Sequence, residues 1–232
     1  MVIEAFNNST EILRASRNTL KVISFEGVAC VVKAFKKPSF PQNYTYGLFS
    51  DSKAKKSYNN AKTILEKGFS TPKPIGYFEK RNAGKLIESY YLCEYAREAV
   101  TLQEIYTSSK TLPEQFIEKF ATFCAELHVQ GVLHRDFNLL NILVTDADRN
   151  PSFALVDINR ITWYNSLTLK QAMRSMSRIR FKPHLEERFL TKYAKYRDLD
   201  PTLCQALLKR EKLKTKRYFQ NKKNLRKIFP KK

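Results

Sequence analysis

Hydrophobic and polar positions along the first ninety-five residues follow the two-residue period of strands more than the longer period of helices. "NTLKVISF" (18–25) alternates, Glu26-Gly27 marks a turn, and "VACVVKAF" (28–35) is nearly all apolar. The pair predicts a β-hairpin. "KKPSFPQNYTYG" is a proline-bearing loop. "SKAKKSYNNAKTILEKG" (52–68) switches to helical spacing and stops at Gly68. "TPKPIGYFEK" and "LIESYYLCEY" predict two more strands joined through Asn82-Ala83-Gly84. After Tyr95 the spacing becomes helical. Thr111-Leu112-Pro113-Glu114 has the form of a capping box opening a helix that carries Phe116, Phe120, Phe123, Cys124 and Leu127. Short strands are predicted at 132–134, 141–145 and 152–156, and helices from about residue 167. No internal repeat is visible. The pattern predicts an α+β chain: a small antiparallel β-sheet lobe with one helix over 1–95, a larger helical lobe over 96–208, and a tail over 209–232.

Composition narrows the class. A chain of 232 residues with 43% hydrophobic content can bury a sizeable core. Six glycines are few, which argues against glycine-rich phosphate loops. The N-terminus lacks a basic region followed by a long apolar stretch, so no secretory signal is expected. Nothing in the sequence is apolar over a bilayer-spanning length. Cys30, Cys93, Cys124 and Cys204 are far apart in apolar contexts and read as reduced core cysteines of a cytosolic protein, with neither disulfides nor zinc implied. The net charge of +20 is uneven, because residues 209–232 hold twelve Lys or Arg against one acid. Such a tail, here interleaved with Leu213, Tyr218, Phe219, Leu225, Ile228 and Phe229, seeks a polyanion, either nucleic acid or an anionic membrane surface.

Candidate chemistry gathers in "GVLHRDFNLLNILV" (131–144), where polar groups stand between two apolar runs. Asp136 and Asn141 are spaced so that one loop can present a carboxylate and a carboxamide together. Asp136 suits accepting the proton of a hydroxyl; Asn141 offers Mg²⁺ a neutral oxygen ligand. Asp157 ends the apolar run "SFALV", a place where an acid is costly unless paired or metal-bound. Lys33 lies inside an apolar strand and reads either as an edge lysine whose amine reaches water or as a cation held to meet an anion.

The ordered set Lys33, His134-x-Asp136-x4-Asn141 and Asp157 resembles the protein-kinase fold. That resemblance implies a two-lobed structure, ATP and Mg²⁺ as cofactors, Lys33 and Asp136 as catalytic residues, and Asn141 and Asp157 as metal ligands. His134 and Arg135 would brace the loop. Backbone groups of Glu94 and Ala96 would bind adenine. The first hairpin turn, "RASRN" (14–18), has no glycine, so Arg17 and Asn18 would contact phosphate through side chains; a solvated loop is the alternative. The triplet Asp157-Ile158-Asn159 replaces Asp-Phe-Gly, with Asn159 tolerating a positive φ. The helix acid expected to pair with Lys33 falls near Asn59, leaving Glu66 as a substitute.

"VVKAFKKP", "SKAKKSYNNAKTILEKGFSTPKPIGYFE", "SYYLCEY", "HRDFNLLNILV" and "FALVDINRI" further resemble the lipopolysaccharide core kinase family. Its members phosphorylate heptose or 3-deoxy-manno-octulosonic acid (Kdo) of the lipid A inner core. The resemblance implies a lipid A core glycolipid as acceptor and a peripheral position on the cytoplasmic face of the inner membrane. Two rivals remain: an atypical protein kinase of the RIO-like or tRNA-modification-associated kind, and a pseudokinase scaffold. Since the chemical set ends at Asp157, the tail is expected to serve surface binding and not catalysis.

Overall fold

A computed structural model describes residues 2–15, 17–38, 50–109 and 112–228, the side chains of 226–228 excepted. Contacts divide the chain into two compact units, Met1–Ala99 with Ala154–Arg160, and Val100–Phe153 with Ile161–Lys232. The division therefore falls a few residues after Tyr95, and a short later segment, 154–160, belongs with the first unit.

The first unit is built on a five-stranded antiparallel sheet. Its strands are β1 (Ile12–Ala15), β2 (Thr19–Phe25), β3 (Val28–Phe35), β4 (Pro74–Asn82) and β5 (Lys85–Glu94), in the order β1-β2-β3-β5-β4. The β2–β3 register runs from Thr19↔Ala34 to Phe25↔Val28, closed by Glu26 and Gly27, both at positive φ. Alternation then puts Cys30 and Val32 on a covered face with Ile23, Tyr90 and Leu92. An N-terminal helix, α1 (Val2–Asn8), caps that face with Val2 and Phe6; its ring lies edge-on to Tyr90 at 5.6 Å. Helix α1 was not anticipated, because seven residues carry too little periodicity, and β1 was implied only as the first arm of the hairpin at "RASRN". The β1–β2 hairpin does flank the "RASRN" turn, of which Ser16 lies outside the described residues. Most of the loop at 36–47 lies outside them too.

Helix α2 (Lys53–Glu66) starts at Ser52, whose buried hydroxyl accepts the Lys55 N–H at 3.1 Å. It ends before Gly68, at φ 80°. Ala54, Ser57, Ala61 and Ile64 form its buried stripe, the spacing expected of one helical face.

The second unit is mainly helical: α3 (Leu102–Ser108), α4 (Glu114–Val129), α5 (Leu169–Met176), α6 (Pro183–Tyr196) and α7 (Pro201–Ile228). Its core is aromatic, with Phe120 within 5.2 Å of Phe153 and 5.4 Å of Phe189 by ring centroids. Helix α4 begins at Glu114 with Pro113 as its N-cap and no side-chain cap bond. The capping box expected on Thr111 lies outside the described residues. Glu114 sits in the first turn and pairs with Arg188 and Lys192. Capping boxes form at Thr101–Glu104 and Thr168–Gln171. Short strands β6 (Val100–Thr101), β7 (Val132–His134), β8 (Ile142–Thr145) and β10 (Ile161–Trp163) complete this unit, with β7 antiparallel to β10. β6 and β10 were not expected from the sequence. Strand β9 (Ser152–Leu155) carries the chain from one unit to the other.

Candidate active site

In the first unit, Lys33 stands mid-strand in β3, opposite Leu20 on β2 and Tyr91 on β5. Hydrogen bonding to both neighbours fixes its Cα, and its ammonium meets Asp157 Oδ1 at 2.5 Å. Asp157 is held from both sides. The Leu155 carbonyl accepts from the Thr71 hydroxyl (2.7 Å), the Leu155 N–H donates to Ser70 (2.9 Å), and the Ile158 carbonyl accepts from the Asn60 carboxamide of α2 (2.7 Å). Asp157 itself has φ 56°. The left-handed residue of this turn is thus the acid and not Asn159, which lies in a 3-10 turn over Ile158–Arg160. Aspartate adopts that region more readily than most residues. The Asn159 carboxamide oxygen is buried without a hydrogen-bond partner.

The helix acid sought for Lys33 is absent from its vicinity. Asn59 and Glu66 are both exposed, and α2 turns Asn60 inward. What α2 brings close is another cation. Burial first, then Arg17 and Arg160, pull the Lys53 ammonium below the ordinary lysine range, with Lys33 adding to the effect and Asp157 opposing it. Lys53 thus feels the charges of Arg17, Arg160, Asp157 and Lys33. Lys53 and Arg160 escaped the sequence reading, because "SKAKKSYNNAK" reads as a solvated basic face. Arg17 is one of these charges. Asn18 does different work: its carboxamide oxygen accepts the Lys36 N–H at 3.2 Å and ties the hairpin turn to the exit of β3.

At the end of β5, the Glu94 and Tyr95 N–H groups donate to the carbonyls of Lys73 and Ala29, each at 2.9 Å. Ala96 uses its carbonyl, which accepts from Ala99 at 3.2 Å. The Glu94 carboxylate points to Lys73 (3.4 Å).

In the second unit, the loop after β7 is folded around Asp136. The buried His134 ring accepts the Asp136 N–H through Nδ1 at 3.1 Å. Arg135 donates to the Thr162 hydroxyl on β10 at 3.0 Å. Asn138 donates to the Asp136 carbonyl (2.9 Å) and to its Oδ1 (3.2 Å), while accepting from the Leu140 N–H (3.0 Å). Asn141, nearly buried, donates to the same Asp136 carbonyl at 2.9 Å. That bond engages its amide nitrogen, the donor end of the carboxamide. Arg178 forms an ion pair with Asp136 Oδ1. Asn138 and Arg178 thus both donate to Oδ1 of the Asp136 carboxylate.

Among the described residues no cluster of three or more His, Cys, Asp or Glu side chains could hold a metal unaided. Asp157 in the first unit and Asn141 in the second each carry an oxygen donor of the kind a hard cation takes. The four cysteines are free and buried, and burial pushes the Cys93 thiol up to about 12. No helix of the described residues is long and apolar enough to cross a membrane.

A β-sheet unit carrying a strand lysine paired to a pinned aspartate, with a helical unit carrying an H-x-D-x4-N loop, defines a protein-kinase-like fold. A solved structure described as WaaP in complex with acyl carrier protein shares that fold at a TM-score of 0.63, covering 92% of each chain at 17% identity. The family model for the lipopolysaccharide kinase (Kdo/WaaP) family matches residues 32–193, and the chain belongs to that family. Two curated relatives are named 3-deoxy-D-manno-octulosonic acid kinase. The one from Pasteurella multocida (strain Pm70) is 28% identical over 117 residues, 50% of this chain and 48% of the relative. The one from Vibrio parahaemolyticus serotype O3:K6 (strain RIMD 2210633) is 28% identical over 107 residues, 46% and 44% respectively. The matched stretch thus spans about half of each relative.

Proposed function

We propose that this chain is an ATP-dependent kinase that phosphorylates a hydroxyl of a lipopolysaccharide inner-core sugar, with Kdo as the first acceptor to test and heptose as the second. Family membership supports the reaction class, and the names of the two relatives favour Kdo. The observation that carries the reading is the Asp136 loop. Four side chains, His134, Asn138, Asn141 and Arg178, fix one aspartate. Phosphoryl transfer asks for this kind of rigid placement, since its catalysis is mostly positioning and charge stabilisation.

In this reading Asp136 orients the sugar hydroxyl and takes its proton as the new P–O bond forms and the bond to the leaving ADP oxygen breaks. Lys33, with Arg17, Lys53 and Arg160, holds the polyphosphate. Asp157 and Asn141 would bind Mg²⁺, which when bound neutralises charge on the phosphate oxygens. The Glu94 carbonyl and the Ala96 N–H would bind the adenine edge. Asn18, whose oxygen accepts the Lys36 N–H, would offer phosphate its amide nitrogen.

The acceptor is lipid-linked, and the tail suits a surface. Leu213, Tyr218, Phe219 and Leu225 of α7 are exposed among its bases. Aromatic and aliphatic side chains interleaved with Lys and Arg are what an anionic headgroup layer binds. The full chain should therefore sediment with anionic vesicles at low salt and release at high salt; tighter binding to RNA than to such vesicles would reject the membrane reading.

Transfer of label from ATP to purified Kdo-bearing and heptose-bearing lipid A core glycolipids, with mass spectrometry of the product, tests the activity. Asp136→Asn should retain nucleotide binding and lose about 10²–10⁴-fold in turnover. Label on protein and none on glycolipid would favour the protein-kinase alternative. Failure to bind nucleotide at all would favour the scaffold, whose support is the exposed Asn59 and the glycine-free first turn.

A further inference from the structure

The C-terminal helix reaches Asp136 through two contacts. Arg178, just beyond α5, pairs with Asp136 Oδ1, and the guanidinium carbon lies 5.1 Å from the centroid of the Phe219 ring of α7. The turn that carries Arg178 is itself fastened twice. Ser175 donates its buried hydroxyl to the His134 carbonyl at 3.3 Å, at the root of the Asp136 loop. Ser177 and Thr215 of α7 share a hydroxyl hydrogen bond of 2.8 Å. So the place of Arg178 is set by the Asp136 loop on one side and by α7 on the other.

The loop supplies no cation to Asp136 from within itself. Arg135, next in sequence, sends its guanidinium to Thr162, and position 138 is an asparagine whose bonds fold the loop. An aspartate that must stay ionised and keep one oxygen turned to substrate needs a donor on the other oxygen. Arg178 is that donor. An arginine on a solvent-facing turn has many rotamers, and ordering them carries an entropy cost. A ring against one guanidinium face removes much of that freedom and adds cation–π attraction.

We infer that Arg178 is a positioning residue for Asp136, and that Phe219 of the C-terminal helix holds the Arg178 guanidinium in place. The inference rests on the kinase reading above, since it assigns Arg178 through the role of Asp136. It also corrects the expectation that residues 209–232 stand apart from chemistry: removing them removes Thr215 and Phe219 and loosens the brace on Asp136. A surface that engages the exposed side of Tyr218 and Phe219 then acts on turnover as well as on attachment.

The test uses the full chain with a soluble inner-core sugar acceptor, so that membrane binding does not enter. Phe219→Ala should lower kcat about fivefold, the scale of a partly exposed cation–π contact, with KM for ATP unchanged. Arg178→Ala should lower kcat about 100-fold, the scale of a misplaced catalytic group. Phe219→Tyr, which keeps the ring, should restore wild-type kcat. In the Arg178→Ala background Phe219→Ala should do nothing more, because the ring then has no guanidinium to hold. Multiplying effects, or a Phe219→Ala kcat within twofold of wild type while Asp136→Asn is inactive, would overturn the brace and leave the kinase reading intact. A second readout needs no turnover: the Arg178 guanidinium N–H signal in NMR. It should be slow to exchange in the wild type, lost as a distinct signal in Asp136→Asn, and faster to exchange in Phe219→Ala. Indifference of that signal to both substitutions would reject the inference even if no acceptor is ever phosphorylated.

Discussion

Replacing Lys53 by methionine should move stability and nucleotide affinity in opposite directions. Burial of Lys53, and then the charges of Arg17 and Arg160, lower its pKa, with Asp157 opposing and Lys33 adding to the effect. A lysine whose folded pKa lies below its unfolded value of about 10.5 makes folding work against its ammonium. That cost is present while both states hold the proton and fades as pH rises through the folded value. Lys53→Met keeps the aliphatic length and removes the charge. The nucleotide-free protein should therefore melt higher than wild type at pH 7, with the gain shrinking toward pH 10. A polyphosphate reverses the balance. Two unit charges about 4 Å apart interact by roughly 4 kcal/mol at an effective dielectric near 20, and after desolvation a charge-assisted hydrogen bond nets about 1.5–3 kcal/mol. Losing one such bond should raise the Kd for Mg-ATP about 10- to 100-fold. Thermal unfolding without nucleotide and titration calorimetry with Mg-ATP measure the two sides. A lower Tm in the free protein would mean that Lys53 is a structural ion-pair partner, and an affinity within twofold of wild type would remove it from the phosphate site.

Two further outcomes follow from packing in the helical unit. Burial, and then the Arg197 charge, push the His128 imidazole down to about 3, where its Nδ1 lies 2.9 Å from the Tyr193 hydroxyl. The unfolded chain binds a proton at His128 below about pH 6.5 and the folded chain does not, so stability falls as pH drops from there toward 3, by roughly 2 kcal/mol at pH 5; denaturant unfolding at pH 7.5 and 5 should show this slope in the wild type and not in His128→Gln. Gly131 has φ 75°, and a Cβ there would overlap the backbone carbonyl of Tyr164, whose N–H donates to the Gly131 carbonyl at 2.9 Å. Gly131→Ala should destabilise by about 3 kcal/mol or more and lower Tm by roughly 10 °C, read by calorimetry; a change under about 1 kcal/mol would mean that the turn relaxes freely.

How much was legible depended on whether the signal was local. The β2–β3 hairpin was readable because a turn at Glu26-Gly27 and an apolar run fix its register without help from elsewhere. The Asp136 loop was readable because its spacing is set by one tight turn, and Asn138 and Asn141 bond within it. The start of α4 at Glu114 falls on the acid of the Thr111-to-Glu114 spacing, and what the spacing could not show is that this acid pairs with Arg188 and Lys192. The partner of Lys33 was sought on α2 at Asn59 or Glu66. The small residues Ala54, Ser57 and Ala61 already mark the buried stripe of that helix, and they leave Asn59 on the outer face. A reading by volume as well as by charge would have turned the search to Asn60 and Lys53.

Cations show the limit most sharply. Forty-two lysines and arginines give the chain its charge, and nothing in their number separates a solvated side chain from one aimed at a carboxylate. The separation is made by the partners that restrict each one. Lys53 is fixed at the first turn of α2 by the buried Ser52 cap. Arg178 is fixed by hydroxyl bonds from Ser175 and Ser177 and by the Phe219 ring. A composition-level argument assigned the tail to a polyanionic surface because that is where most of its charge points. The same helix also places one uncharged ring against one guanidinium, and the physical effect of that contact does not scale with charge. Charge would draw a basic segment to an anionic surface from a Debye length away, whereas a ring acts only over van der Waals distance. One segment can therefore carry attachment and catalytic positioning at once, and only substitutions that leave the charge unaltered, such as Phe219→Ala, can tell the two apart.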